Sequence, residues 1–270
     1  DENKIGVEKT RINAWMRELN LGYASKELFT QFLVRLRHEV PKAMLAMFST
    51  LKYVNAPNFE QFRKVWQAKF LDGFVVHSRV FDGLDGDFPI GFLIWNTGQR
   101  MPILEAPVGA FDRFGNLVGE KLYVARPTKT LLNLWMDKTP PNGGAALPLS
   151  NALKVSANPR PKRQLLGALG YLYASNNDLQ HSAIETLITS SIYTGGNGGG
   201  VYLTQDNLWQ AAIVFAVRRL IRPTWLNDRD QFLQPSQPLS DTFRSDCLVW
   251  MLFNGSNLTA GADGLRWNGQ

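Results

Sequence analysis

A layered α/β domain followed by a mixed α+β region is the fold class the sequence predicts. Three observations predict it. Apolar residues recur at helical spacing across residues 23–40 and again across 58–70. Apolar runs rich in β-branched and aromatic residues, at 43–51, 74–81 and 90–95, fall between and after those segments. From about residue 100 hairpin, loop and late-helix signals take over. The expected division is therefore an α/β part at 1–100 and a mixed α+β region at 101–270.

Taken in order, YASKELFTQFLVRLRHEV reads as a helix with Leu28, Phe29, Phe32, Leu33 and Leu36 on one face, Ser25 as its cap and Pro41 as its stop. AMLAMFSTL suits a buried strand, although periodicity leaves a helix open. NFEQFRKVWQAKF is expected to be a helix, capped by Asn58 with Gln61 three residues on, its face formed by Phe59, Phe62, Trp66 and Phe70. FVVHSRVF and PIGFLIWN read as two strands around the acidic turn DGLDGD. Helix, strand, helix, strand, strand is compatible with half of a layered α/β domain that ends in an antiparallel pair.

Beyond residue 100, VGAFDRFGNLVGEKLYVA predicts a hairpin turning at Gly115-Asn116. DKTPPNGGAALPLS reads as a loop, ALGYLYAS as a strand, and GGNGGG (195–200) as a flexible loop. LTQDNLWQAAIVFAVRRLI is expected to be a helix capped by Thr204 and stopped by Pro223, and SDTFRSDCLVWMLFN one more.

Hydrophobic residues make up 44% of the 270 and charged residues 19%, which excludes a disordered chain. No apolar run reaches the roughly 18 residues of a membrane span, so no membrane partner is expected. The polar start DENKIGVEKT is no secretory signal, and without an initiating Met the chain is expected to begin mid-protein. One cysteine, Cys247, sits among apolar neighbours and reads as a buried inert thiol in a reducing, cytoplasmic setting. A net charge of +6 permits contact with a polyanion without demanding it.

Chemistry-bearing patterns are few. His38, His77 and His181 have no metal-ligand spacing, and no metal site is expected. The glycine run at 195–200 lacks the register and the Lys-Ser/Thr pair of a phosphate loop. Asp228, Arg229 and Asp230 suit local salt bridges and turn hydrogen bonds. Basic residues cluster twice, as Lys154, Arg160, Lys162 and Arg163 and as Arg218, Arg219 and Arg222. Either cluster can contact phosphates or form a solvated basic surface.

The runs YASKELFTQFLVRL, LAMFSTLKYV and FVVHSRVFDGLDGDFPIGFLIW, in that order over about residues 20–97, resemble the DNA adenine-N6 methyltransferase family. The likeness extends more loosely through QDNLWQAAIVFAVRRLIRPTWLNDRDQFLQP and DCLVWMLFN. It implies the later half of a Rossmann-like methyltransferase sheet ending in an antiparallel hairpin, followed by part of a target-recognition region. It also implies base flipping on double-stranded DNA, as in restriction-modification. The extruded adenine would stack on an aromatic ring, by position Phe81, with Phe88 as the second candidate and a core ring as the alternative for Phe81. S-adenosylmethionine is the cofactor implied for the complete enzyme. The family's glycine-rich donor loop and its Asn/Asp-Pro-Pro-aromatic tetrapeptide are absent here, and Thr139 to Asn142 (TPPN) has the wrong order. No catalytic residue is therefore expected in this chain, no donor is expected to bind it alone, and the missing N-terminal half is an expected partner. A non-catalytic DNA-binding specificity module, or an interaction protein on the same scaffold, is the alternative.

Overall fold

The computed structural model describes residues 5–136, 167–173, 186–188, 200–227 and 231–257. The chain is mixed α/β and divides into two compact units, Asp1–Thr128 with Thr224–Asp228, and Lys129–Pro223 with Arg229–Gln270. The change of character expected near residue 100 falls inside the first unit, because the following hairpin joins the first sheet. No helix among the described residues is long and apolar enough to cross a membrane.

In the first unit α1 (Ile5–Glu8), α2 (Arg11–Glu18) and α3 (Leu28–Glu39) precede β1 (Met44–Thr50). The short helices α4 (Lys52–Asn55) and α5 (Glu60–Val65) lead to β2 (Lys69–His77), β3 (Pro89–Asn96), β4 (Glu105–Phe111) and β5 (Leu117–Val124). The sheet order is β1-β3-β2-β4-β5. Because β3 is antiparallel to both β1 and β2, those two strands run the same way. Their connection through α4 and α5 therefore leaves a slot between them, which β3 fills. Strand β4 pairs in parallel with β2, Val75 opposite Ala110, and β5 returns antiparallel to β4.

The helices pack on the face carrying Leu45, Val75, Leu93 and Trp95, all at most 7% exposed. Trp95 is its anchor. Its indole N–H donates to Tyr53 Oη at 2.9 Å, and its ring lies 5.6 Å from Trp66 and 5.3 Å from Phe70. Burial pushes the Tyr53 hydroxyl far above its ordinary range, so it stays neutral and able to accept. Arg63, also buried, donates to the carbonyls of Tyr53 (3.3 Å) and Ala56 (2.9 Å), at the end of α4. Glycine is required at 73, where an added Cβ would meet the Phe92 carbonyl oxygen at 2.7 Å.

Several local expectations are corrected. Ser25 does not cap α3; it belongs to a 3-10 turn (Gly22–Lys26), and its hydroxyl donates to Gly22 O at 3.0 Å. Its carbonyl instead accepts from Gln31 Nε2 at 2.9 Å and from Asn13 Nδ2, a buried network that fixes the turn against α2 and α3. The second helix covers only Glu60–Val65, and Asn58 lies in a preceding 3-10 turn rather than at the cap. Phe59, Phe62 and Trp66 are buried as expected, but Phe70 is on β2, opposite Trp95. Thr204 is not a side-chain cap; its backbone N–H donates to Asn207 Oδ1 at 2.8 Å. The hairpin at Gly115-Asn116 forms as expected, with Gly115 at φ 83°. There Asp112 Oδ1 accepts the N–H groups of Phe114 (2.8 Å) and Asn116 (2.9 Å), bonds that hold its carboxyl below the usual range.

The second unit holds a three-stranded antiparallel sheet, β7-β6-β8, from β6 (Gly170–Tyr173), β7 (Thr186–Ile188) and β8 (Val201–Leu203). With it pack α6 (Leu208–Leu220) and α7 (Asp241–Asn257), sharing a core of Leu172, Leu187, Leu203, Phe215 and Met251. Cys247 is buried in this core, and burial raises its thiol, in keeping with an inert role.

Gly73→Ala should shift the urea midpoint of the first unit to a lower concentration, a loss of about 1–3 kcal/mol from overpacking against backbone. An unchanged midpoint would contradict the close β2–β3 approach.

Candidate functional site

The co-directional strands β1, β2 and β4 finish at one end of the mixed sheet. Here that end is formed by Thr50 of β1, His77 of β2 and Phe111 of β4. The segment from β2 to β3 rises from it as a fixed loop. His77 leads into a 3-10 turn, Ser78–Val80, and Phe81 follows at φ −103°, ψ 129°, extended again. Ser78 is fully buried and holds the loop closed. Its N–H donates to Phe88 O at 2.9 Å, its hydroxyl donates to Gly86 O, and the same hydroxyl accepts from Phe88 N at 3.3 Å. Asp87 adds a second clamp, with Arg79 Nε at 2.8 Å and His77 Nε2 at 3.4 Å from one carboxylate oxygen.

The aromatic candidates separate in this frame. Phe81 is half-buried, with its ring edge-on to Phe48 at 5.3 Å. Phe48 in turn touches Phe92 at 4.7 Å and Phe74 at 6.0 Å, and Phe74 touches Phe111 at 5.9 Å. A row of phenylalanine rings thus runs across four strands and ends at Phe81. Phe88, also half-buried, lies against Gly86, where an added Cβ would meet its ring at 2.6 Å. That close fit commits Phe88 to closing the loop, whereas Phe81 packs against Phe48. Phe48 belongs to this site and had no signal in the sequence, because only the strand pairing brings it to Phe81; Arg79 and Asp87 lie in the same loop, but nothing in the sequence marked their ion pair.

His77 is neutral here by geometry. Its Nδ1 accepts the Arg79 backbone N–H at 3.1 Å, which places the ring proton on Nε2, toward Asp87. Burial lowers its pKa from 6.5; Asp87 opposes the shift, and Arg79 and Arg113 add to it. Its ring also lies 5.2 Å from that of Trp225.

The basic candidates fare differently. Lys154, Arg160, Lys162 and Arg163 lie outside the described residues, as do His181, Thr139 to Asn142, Asp228, Arg229, Asp230 and most of the 195–200 glycine run. Arg218 is 4% exposed in α6, Arg219 lies over the Phe215 ring at 4.4 Å, and Arg222 is exposed. Of these three, Arg222 is the most exposed. No group of three or more His, Cys, Asp or Glu among the described residues could hold a metal ion.

Because the folded state takes up a proton at His77 less readily than the unfolded chain, the unfolded chain binds more protons below about pH 6.5. Stability should therefore fall as pH drops below that value. In His77→Gln the fall in melting temperature between pH 7.5 and 5.5 should be smaller than in the unsubstituted protein; an equal fall would contradict the neutral assignment.

No protein-family model matches the chain, and no curated protein and no solved structure matches it either.

Proposed function

We propose that this chain is the later part of a DNA adenine-N6 methyltransferase domain with part of its target-recognition region, and that Phe81 stacks the extruded adenine. The observation that carries the reading is the ordered loop at the carboxyl end of two co-directional strands, with a half-buried ring at its tip. The strand–helix–strand–strand order, with the last strand antiparallel between the first two, fits the closing unit that the family resemblance implies.

The chemistry of the loop suits a base rather than a phosphate. Asp82, Asp85 and Asp87 follow Phe81 within six residues in the same loop, and carboxylates repel the sugar-phosphate backbone. A neutral ring with an apolar neighbour, Phe48, offers stacking without charge. Stacking of this kind is worth roughly 1–3 kcal/mol per base. Sequence-independent affinity would have to come from cations elsewhere, Arg222 among them.

S-adenosylmethionine would serve the complete enzyme as methyl donor. The residues present do not fit it: β1 runs straight into α4 through buried Leu51, and no glycine-rich loop follows that strand. No methyl-transfer step is assigned to this chain.

Single-stranded oligonucleotides carrying 2-aminopurine report stacking by quenching. Phe81→Ala should weaken binding by about tenfold or more, at 1.4 kcal/mol per tenfold, while the salt slope stays unchanged. Equal affinity and equal quenching in the variant would overturn the stacking role. Phe88→Leu should instead lower the melting temperature.

A further inference from the structure

The opposite end of the first sheet holds a second concave feature. Lys42 precedes β1, and Thr97, Gly98 and Arg100 follow β3. The eight residues of β3 put this end roughly 25 Å from Pro89 and the Phe81 loop. A cavity of about 580 Å³ opens there. Its floor is apolar, built from the buried side chains of Leu21, Val34 and Trp66. Trp15 forms a wall, its ring held edge-on to His38 at 4.6 Å.

Around this floor the charges are of one sign. Arg37, Lys42 and Arg100 line the cavity, and none of its lining residues is Asp or Glu. Gathering like charges about a concave space is unfavourable until an anion neutralises them. Arg37 registers the strain: burial, and then the charge of Arg100, hold its guanidinium below the ordinary value. It is nevertheless fixed in place by donating to the Gln67 carbonyl. Lys42 and Arg100 are exposed, and neither has an ion-pair partner among the described residues. Basic residues in a last helical turn commonly offset the helix dipole, and that accounts for Arg37 and His38 at the end of α3. It does not account for Lys42 and Arg100, which reach the same cavity from two separate turns.

We infer that this cavity binds an organic phosphate of the mononucleotide class, its phosphate held by Arg37, Lys42 and Arg100 and its flat ring laid against Trp15 and the apolar floor. Guanidinium groups suit phosphate oxygens by their forked donors, and an indole suits a flat heterocycle. The volume lies within the range of small-ligand pockets, about 300–1,000 Å³. The site is independent of the base-stacking loop and does not rest on the methyltransferase reading.

Calorimetric titration with adenosine monophosphate and, separately, with inorganic phosphate tests the assignment. The monophosphate should bind, and inorganic phosphate should bind at least tenfold more weakly. The double variant Lys42→Gln/Arg100→Gln should lose at least tenfold in affinity for the monophosphate. Its ligand-free melting temperature should be unchanged or higher, since removing Arg100 relieves Arg37. Absence of monophosphate binding at millimolar concentration, or unchanged affinity in the folded double variant, would overturn the proposal. Equal binding of inorganic phosphate would overturn the place given to the ring.

Discussion

Everything in the first unit depends on one strand being hydrogen-bonded along both edges. Strand β3 pairs over Met44–Asn96 to Thr50–Ile90 on one side and over Lys69–Asn96 to His77–Pro89 on the other. An interior strand loses both ladders if it slips, and a slip of one residue would turn Trp95 out of the core. The Trp95 indole, bonded to Tyr53 and walled by Trp66 and Phe70, makes that register the favoured one. With β3 in place, the carboxyl ends of β1, β2 and β4 lie together, and the segment joining β2 to β3 must project from that end.

The loop then follows from short-range chemistry. A buried serine satisfies three backbone groups across the β2–β3 opening, and one aspartate binds an arginine and a histidine on the other side. Held at both positions, the loop has little freedom to place its aromatic anywhere but against Phe48. A stacking ring gains when its position is fixed beforehand, because less conformational entropy remains to be lost on binding. The like-charged cavity at the opposite end of the strands is a consequence of the same layering: the last turns of helices and the starts of strands converge there.

How much of this the sequence discloses can be judged residue by residue. Strands β1 and β3 are apolar runs bounded by turn residues, and the β4–β5 hairpin announces itself through Gly115-Asn116; β2 is legible only over Phe74–His77, because it begins at Lys69 in the segment read as helix and gives way at Ser78–Val80 to a 3-10 turn instead of running on to Phe81. The helix expected over 58–70 stops at Val65 because Trp66 turns out of helical backbone (φ −83°, ψ 101°) and Phe70 is claimed by the ladder opposite Trp95, a tertiary demand that periodicity does not see. Asn207, not Thr204, stands at the N-cap position of α6, and its amide oxygen accepts the Thr204 N–H instead of capping the helix. Phe81 was legible as an aromatic at a turn, whereas Phe48 was not legible as its neighbour, since thirty-odd residues and an unknown strand order lie between them. Arg218 looked like part of a basic cluster, but α6 is apolar around most of its circumference and buries it.

We propose that the Ser78–Phe88 loop is a preformed surface for a nucleobase. Amide hydrogen exchange, followed by mass spectrometry with and without an adenine-rich single-stranded oligonucleotide, addresses it most directly. Exchange should be slow at Ser78, Phe81 and Phe88 in the free protein, reflecting their bonded N–H groups, and should slow further across the loop when the oligonucleotide is added. Fast exchange throughout the loop in the free protein, or oligonucleotide binding that leaves its exchange unchanged, would contradict it.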